Sequence, residues 1–292
     1  MIGRAVSCLF VLAIATASAQ SNGPVPDVPV KSFEVASIKQ SPPATGGPIR
    51  LGAGPAPGGR WVAQNANFMM ILRAAYPGYS QPGQVVGGPE WLTTSRFEVN
   101  AIAGGEPPPE QMNAMVRQLL AERFALKVHV EPRELDVYAL VLARSDGRLG
   151  PGIRPPAVDC EALAAARKRG EAPPPPPFVP GQRPQCGMMS SVIAGVQRVT
   201  LGGSRITSIA TTVQSSVGRP VVDRTGLTGT FDIDFEFARE VALQSAPPTD
   251  LAAGGAASVF TALQEQLGLR LEPRKETMDV LVIDHVEMPT AN

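Results

Sequence analysis

The sequence predicts an α+β protein of two homologous small lobes, each a sheet with helices, joined by a proline-rich linker tied by a disulfide. Three observations predict it. Residues 119–142 (LLAERFALKVHVEPRELDVYALVL) and 263–283 (LQEQLGLRLEPRKETMDVLVI) follow one plan: helix end, short apolar stretch, Glu-Pro-Arg, apolar strand. The tripeptides are Glu131-Pro132-Arg133 and Glu272-Pro273-Arg274. Upstream, Val85-Val86, Leu92-Thr93 and Phe97-Glu98-Val99 align with Val221-Val222, Leu227-Thr228 and Phe231-Asp232-Ile233. A unit this long exceeds any solenoid repeat and reads as an internal duplication of a small domain. Third, helical and strand periodicities alternate within each unit.

The chain opens with a secretory signal pattern over residues 1–19. Arg4 gives the positive start, residues 5–14 the apolar run, and Ala17-Ser18-Ala19 the small-x-small site, so the mature chain is expected to begin at Gln20. A membrane anchor needs about 20 apolar residues, and this run is shorter. Cys8 lies inside the apolar run, which argues against a lipidated cysteine. Export leaves Cys160 and Cys186, and an even pair in an exported chain predicts a disulfide. The alternative, a zinc site, lacks a histidine near the pair.

Residues 20–31 form a polar, Pro-rich leader, and the first lobe spans 32–146. Its first strand is 33–39; residues 41–59 read as Gly/Pro-rich loop, and 60–63 as a second strand. Phe68, Ile71, Leu72 and Ala75 have helical spacing behind an Asn67 cap, and Pro77-Gly78 stops that helix. Strands 85–86 and 97–102 flank a Gly-Gly-Pro turn. Met112, Met115, Val116, Leu119 and Leu120 stripe a second helix, and 126–130 and 137–142 follow as two strands.

The linker, 147–190, carries both mature cysteines, the basic triplet Arg167-Lys168-Arg169 and five prolines at 173–177. The triplet reads as the solvated end of a short helix. The proline run favours polyproline II, as an exposed spacer or a ligand for a proline-binding module.

The second lobe spans 191–292. It has a strand at 196–201 and a helix marked by Ile206, Ile209, Ala210, Val213 and Val217. Gly218-Arg219-Pro220 ends that helix before a strand at 221–222. Asp223-Arg224-Thr225-Gly226 is a turn. Residues 231–237 alternate strictly, with Phe231, Ile233, Phe235 and Phe237 inward and Asp232, Asp234 and Glu236 on a solvated face. An Ala/Gly loop covers 241–256. Ser258 caps a last helix with Val259, Leu263 and Leu267, Gly268 ends it, and 280–286 close the sheet.

The segments 33–39, 87–92, 218–227 and 263–269 (FEVASIK, GGPEWL, GRPVVDRTGL and LQEQLGL) resemble a family of exported proteins of unknown function expanded in soil acidobacteria. The likeness covers nearly the whole mature chain. In that family, related segments also occur attached to membrane proteins that resemble BlaR-type antibiotic sensors with a metallopeptidase domain. The His-Glu-x-x-His signature of that domain is absent here, so the resemblance does not carry the peptidase activity over. The pattern of helix, Val-Val strand, Gly-Leu turn, helix and final Gly-Leu-Arg-Leu strand also looks like the short N-terminal domain of secretins and TonB-dependent receptors. That module is periplasmic and binds protein partners, an analogy of fold only.

Chemistry is sparse. Lys+Arg 26 balance Asp+Glu 26, so no basic excess points to nucleic acid. After signal cleavage no segment is long and apolar enough to span a membrane. Two histidines, His129 and His285, lie on strands, and Asp284 beside His285 points to the opposite face, which argues against an acid–base pair. Ser190-Ser191 and Ser215-Ser216 lack a nucleophile-elbow context, and no Walker or dinucleotide motif occurs. No catalytic residue, metal site or cofactor is expected. Trp91, Arg219, Asp223 and Arg224 are the candidate binding residues. The reading is an exported, non-enzymatic module that binds an envelope protein or a small extracellular ligand, in the periplasm or outside the cell, with a role in envelope sensing. The rivals are an exported hydrolase with a site between the lobes, and a structural or inhibitory envelope protein.

Overall fold

A computed structural model describes residues 31–41, 52–174, 176, 183–239 and 256–289. The expected signal sequence, nearly all of the expected leader and of the 241–256 loop, and part of the five-proline run lie outside those residues. The fold is α+β. In chain order it runs β1 (Val35–Gln40), β2 (Gly52–Ala56), β3 (Arg60–Asn67), α1 (Phe68–Ala75), β4 (Val85–Val86), α2 (Trp91–Thr94), β5 (Arg96–Ile102), α3 (Pro109–Phe124) and β6 (Lys127–Leu142). It continues with β7 (Ile153–Arg154), α4 (Cys160–Lys168), β8 (Gly187–Ile193), β9 (Val196–Ser204), α5 (Thr207–Val217), β10 (Val221–Asp223), β11 (Phe231–Ala238), α6 (Val259–Ala262) and β12 (Leu269–His285). A single π-turn, Leu263–Leu267, joins α6 to β12.

Local chemistry explains the ends. The Asn67 side chain accepts from the Met70 N–H at 2.9 Å and starts α1. Ser258 accepts from the Thr261 N–H and starts α6. Both helices that lead into the long strands end on a left-handed residue, Ala125 after α3 and Gly268 after the π-turn.

Three sheets of four strands form, in the orders β1-β5-β3-β2, β10-β6-β12-β4 and β7-β11-β9-β8. The first sheet packs on α1 and α3 around Trp61, Phe68, Phe97, Leu120 and Phe124. The third packs on α5 and α6 around Leu201, Ile209, Val213, Ile233 and Phe237. The middle sheet serves both cores: Leu281 and Ile283 of β12 close the first, and Leu140 of β6 enters the second. Its short strands cross over. β4 pairs parallel to β12 (Leu281↔Val85), and β10 pairs parallel to β6 (Val221↔Tyr138). Each half therefore completes the other's sheet.

Four features differ from the sequence reading. The stretches 126–130 and 137–142 are not two strands but one, β6 of 16 residues, antiparallel to β12 of 17. Proline normally breaks a strand because it lacks a donor. Here Pro132 pairs with Asp279 and Pro273 with Tyr138, whereas β10 reaches only residues 138–140 of β6 and β4 only residues 281–282 of β12. Each proline thus lies where its strand has a single neighbour, and the missing N–H is on the free side. β2 lies inside the expected loop; as an edge strand paired only with β3, it accepts Gly54 and Pro55. The short helix α2 follows the Gly-Gly-Pro turn. Asp232, expected outward with Asp234 and Glu236, is 5% exposed. Its carboxylate accepts the Gly203 N–H at 2.9 Å and the Ala157 N–H at 3.1 Å.

The segment 147–190 contributes β7, α4 and the start of β8. The Cys160–Cys186 disulfide is present. The bridge lies against β9 at Gly203, where a Cβ would run into Cys160 Sγ. Gly203 also has φ +54, so two constraints select glycine there.

Candidate functional site

The four candidate binding residues do not converge on one place. Trp91, at the start of α2, is half-buried among Phe68 (ring centroids 5.5 Å), Phe97 (6.2 Å) and Phe124 (6.4 Å). Its ring packs the first core. Arg219 lies over the Tyr138 ring at 5.5 Å, and Phe260 meets that ring edge-on. Asp223 accepts the Thr225 N–H (2.9 Å) and hydroxyl (2.8 Å), which fixes the turn after β10. Arg224 donates to both oxygens of Glu276 on β12, at 3.2 and 2.6 Å. Arg219, Asp223 and Arg224 thus hold β10 against the middle sheet, and Trp91 belongs to the other core.

The two halves meet through hydrogen-bonded strands. Gln81 Oε1 accepts the Val221 N–H at 3.1 Å, and Gln84 Nε2 donates to the Asp279 carbonyl at 3.4 Å.

Sequence reasoning did not pair His129 with Asp284. The partners come from neighbouring strands of the middle sheet: Val282 pairs with His129, and Asp284, two residues further along β12, lies on the same sheet face as the ring. His129 Nδ1 lies 2.8 Å from Asp284, and Nε2 lies 3.5 Å from Glu131, itself bound by Arg133. Both ring nitrogens face carboxylates, so neither is directed at a hydroxyl to activate it. The hydrogen bond to Asp284 raises the His129 pKa above its ordinary value. A raised folded-state value means the pair stabilises the fold fully below the unfolded pKa of about 6.5, and the contribution is lost as pH rises through the folded value. The expected result is an NMR titration of His129 above the ordinary histidine range that falls back in Asp284→Asn. An unchanged midpoint in that variant would refute the assignment of the cause.

The acidic row of β11 is used internally. Asp234 is paired by Arg154 of β7 and by Arg183, and Glu236 by Arg198 of β9 at 2.8 Å. Among the described residues, no group of three or more His, Cys, Asp or Glu side chains is placed to hold a metal ion. A depression of about 420 Å³ over β2 and β3 is lined by Gly52, Gly54, Pro55, Arg60 and Gln64 with no aromatic residue. Small-molecule sites are typically apolar and aromatic. No helix among the described residues is long and apolar enough to cross a membrane.

The sheet edges are more informative. An exposed edge presents unpaired N–H and C=O groups, and proteins usually blunt it by shortness, charge or proline. β4, β7 and β10 have two or three residues each. β2 carries Pro55 and β1 carries Lys39. β8 has seven residues, GMMSSVI, with neither charge nor proline. Among the described residues it pairs with β9 alone. Met188, Val192 and Ile193 are 61%, 46% and 74% exposed. The hairpin to β9 turns through Ala194 (φ 50) and Gly195 (φ 78), the two positive values of a tight two-residue turn. Alanine is a poor turn signal, so the hairpin was hidden in the sequence. The apolar run at 187–193 was its one visible trace.

No curated protein and no solved structure matches the chain. A family model, described as protein of unknown function (DUF3738), matches residues 69–286.

Proposed function

Because the chain belongs to the DUF3738 family of proteins of unknown function, we propose from its geometry that it is a non-enzymatic interaction module that takes a partner protein's strand along β8. The uncharged edge of β8, which among the described residues pairs with β9 alone, carries this reading. Strand addition uses the main-chain groups of such an edge for affinity and alternate side chains for specificity. The arginine-paired acids and the carboxylate-flanked His129 favour binding over catalysis. Apart from the short helix α2, which has no counterpart in β9–β12, the order strand, helix, two strands, helix and strand recurs in β3–β6 and in β9–β12 and supports an origin by duplication. The signal pattern and the Cys160–Cys186 bridge support export to an oxidising compartment. The likeness to segments attached to BlaR-type sensors, and to the secretin and TonB-receptor module, supports a role in envelope sensing.

Val192→Lys tests the reading. It puts a charge on the edge strand without touching a buried residue. Proteins captured from an envelope extract by the wild-type chain are expected to be lost from the variant, whose melting temperature stays within about 2 °C. Capture of the same proteins by both baits would overturn it.

A further inference from the structure

Resting on that reading, we propose that one partner for β8 is a second copy of this chain, paired antiparallel about a two-fold axis at Ser190. In that arrangement Met188 faces Val192 of the other copy, Met189 faces Ser191, and Gly187 faces Ile193.

Three observations favour a second copy. First, directly paired residues share a sheet face, and the register with β9 sets Met188 against Leu201 and Ser190 against Val199, both buried in the second core. Met188, Ser190 and Val192 therefore continue the core face of the sheet up to its edge. The two-fold axis joins two such faces and covers Met188 with Val192 from the other copy. Second, on the opposite face Ile193 meets Gly187, around which there is open space for a side chain. Third, a two-fold sets groups at its axis against their own images, and β8 carries no charged side chain, so the axis brings no like charges together. The product is one sheet of eight strands, β7-β11-β9-β8 followed by its image. A pairing of seven residues covers less than the roughly 800 Å² per partner of a standard interface. The dimer is therefore expected to be reversible and concentration-dependent.

Ser190→Cys in the full chain tests the register. Across an antiparallel pair the two Cα atoms are about 4.5–5.5 Å apart, within disulfide reach. Mild oxidation is expected to give a covalent dimer. Met188→Cys is the control: its two copies would be offset by about 14 Å along the strands, too far to bridge. Sedimentation of the wild-type chain should show dimer growing with concentration, and Val192→Lys should remain monomeric. No dimer at any concentration and no Ser190→Cys cross-link would overturn the second copy. Equal cross-linking of Ser190→Cys and Met188→Cys would also overturn it, as random collision. If the chain is monomeric but Val192→Lys still loses its captured partners, only the second copy fails. If Val192→Lys loses nothing, the strand-addition reading fails with it.

Discussion

Phe124→Ala is expected to cost about 3–5 kcal/mol of stability, the range for truncating a fully buried aromatic side chain. Phe124 is the last residue of α3 and is 0% exposed. Its ring lies edge-on to Phe68 (4.9 Å) and Phe97 (5.4 Å) and stacks on Trp91 (6.4 Å), so one truncation unpacks three other rings. Aromatic pairs add about 0.5–1.5 kcal/mol each beyond buried area. The neighbouring β-strands hold these rings from several sides, so collapse into the cavity is limited. Its main chain matters too: the Phe124 carbonyl accepts the Glu287 N–H at 2.7 Å and ties the end of the chain to α3. At roughly 2–4 °C per kcal/mol for a chain of this size class, melting should fall by about 10 °C. A loss under about 1 kcal/mol would show that this aromatic cluster is not the centre of the first core.

Replacing both Cys160 and Cys186 by Ala is expected to cost about 3–4 kcal/mol, the chain-entropy value for a loop of this length. The bridge spans a sequence separation of 26 residues. Its two ends have definite work. Cys160 opens α4 directly after Asp159, whose side chain accepts the Glu161 and Ala162 N–H groups at 3.0 Å. Cys186 immediately precedes β8. Without the bridge, Arg167 at Gln185 (3.2 Å) still ties α4 to the segment before β8, and Arg183 ties that segment to Asp232 (3.7 Å) and Asp234 of β11. All involve arginines at least partly exposed to water, where such pairs contribute about 1 kcal/mol or less each. The effect should therefore have a location: amide exchange should rise most in α4 and β8, with the first core protected as before. Reduction that leaves both melting and the exchange of β8 unchanged would refute this account.

The strictly alternating residues of β11 show both the reach of the sequence and its limit. Ile233, Phe235 and Phe237 are buried as their period predicts, because a strand sends alternate side chains to one face whatever surrounds it. The same period sent Asp232 outward, and the structure buries it. Periodicity assigns a face but does not say what covers that face; here β9 and the 155–159 turn do, and their N–H groups satisfy the carboxylate. The helices were legible for the same local reason, through the apolar stripes of α1, α3 and α5 and the caps at Asn67 and Ser258. β8 was barely legible, since the hairpin turns on Ala194 and Gly195, and alanine in the first turn position is a weak signal. Nor was the His129–Asp284 pair, whose members are 155 residues apart and meet only through the pairing of β6 with β12.

By itself, then, the sequence determined the α+β class, the elements with strong period or caps, the Cys160–Cys186 pairing and the balanced charge. These depend on a residue and its near neighbours or, for the cysteines, on there being so few to join. Tertiary structure alone decided that β6 and β12 run unbroken through their prolines and that each half lends a strand to the other's sheet. It alone decided that, among the described residues, β8 is the last strand of the third sheet. Whether a proline is tolerated, an acid paired or an edge left bare depends on which strand lies alongside, and that neighbour comes from a distant part of the chain.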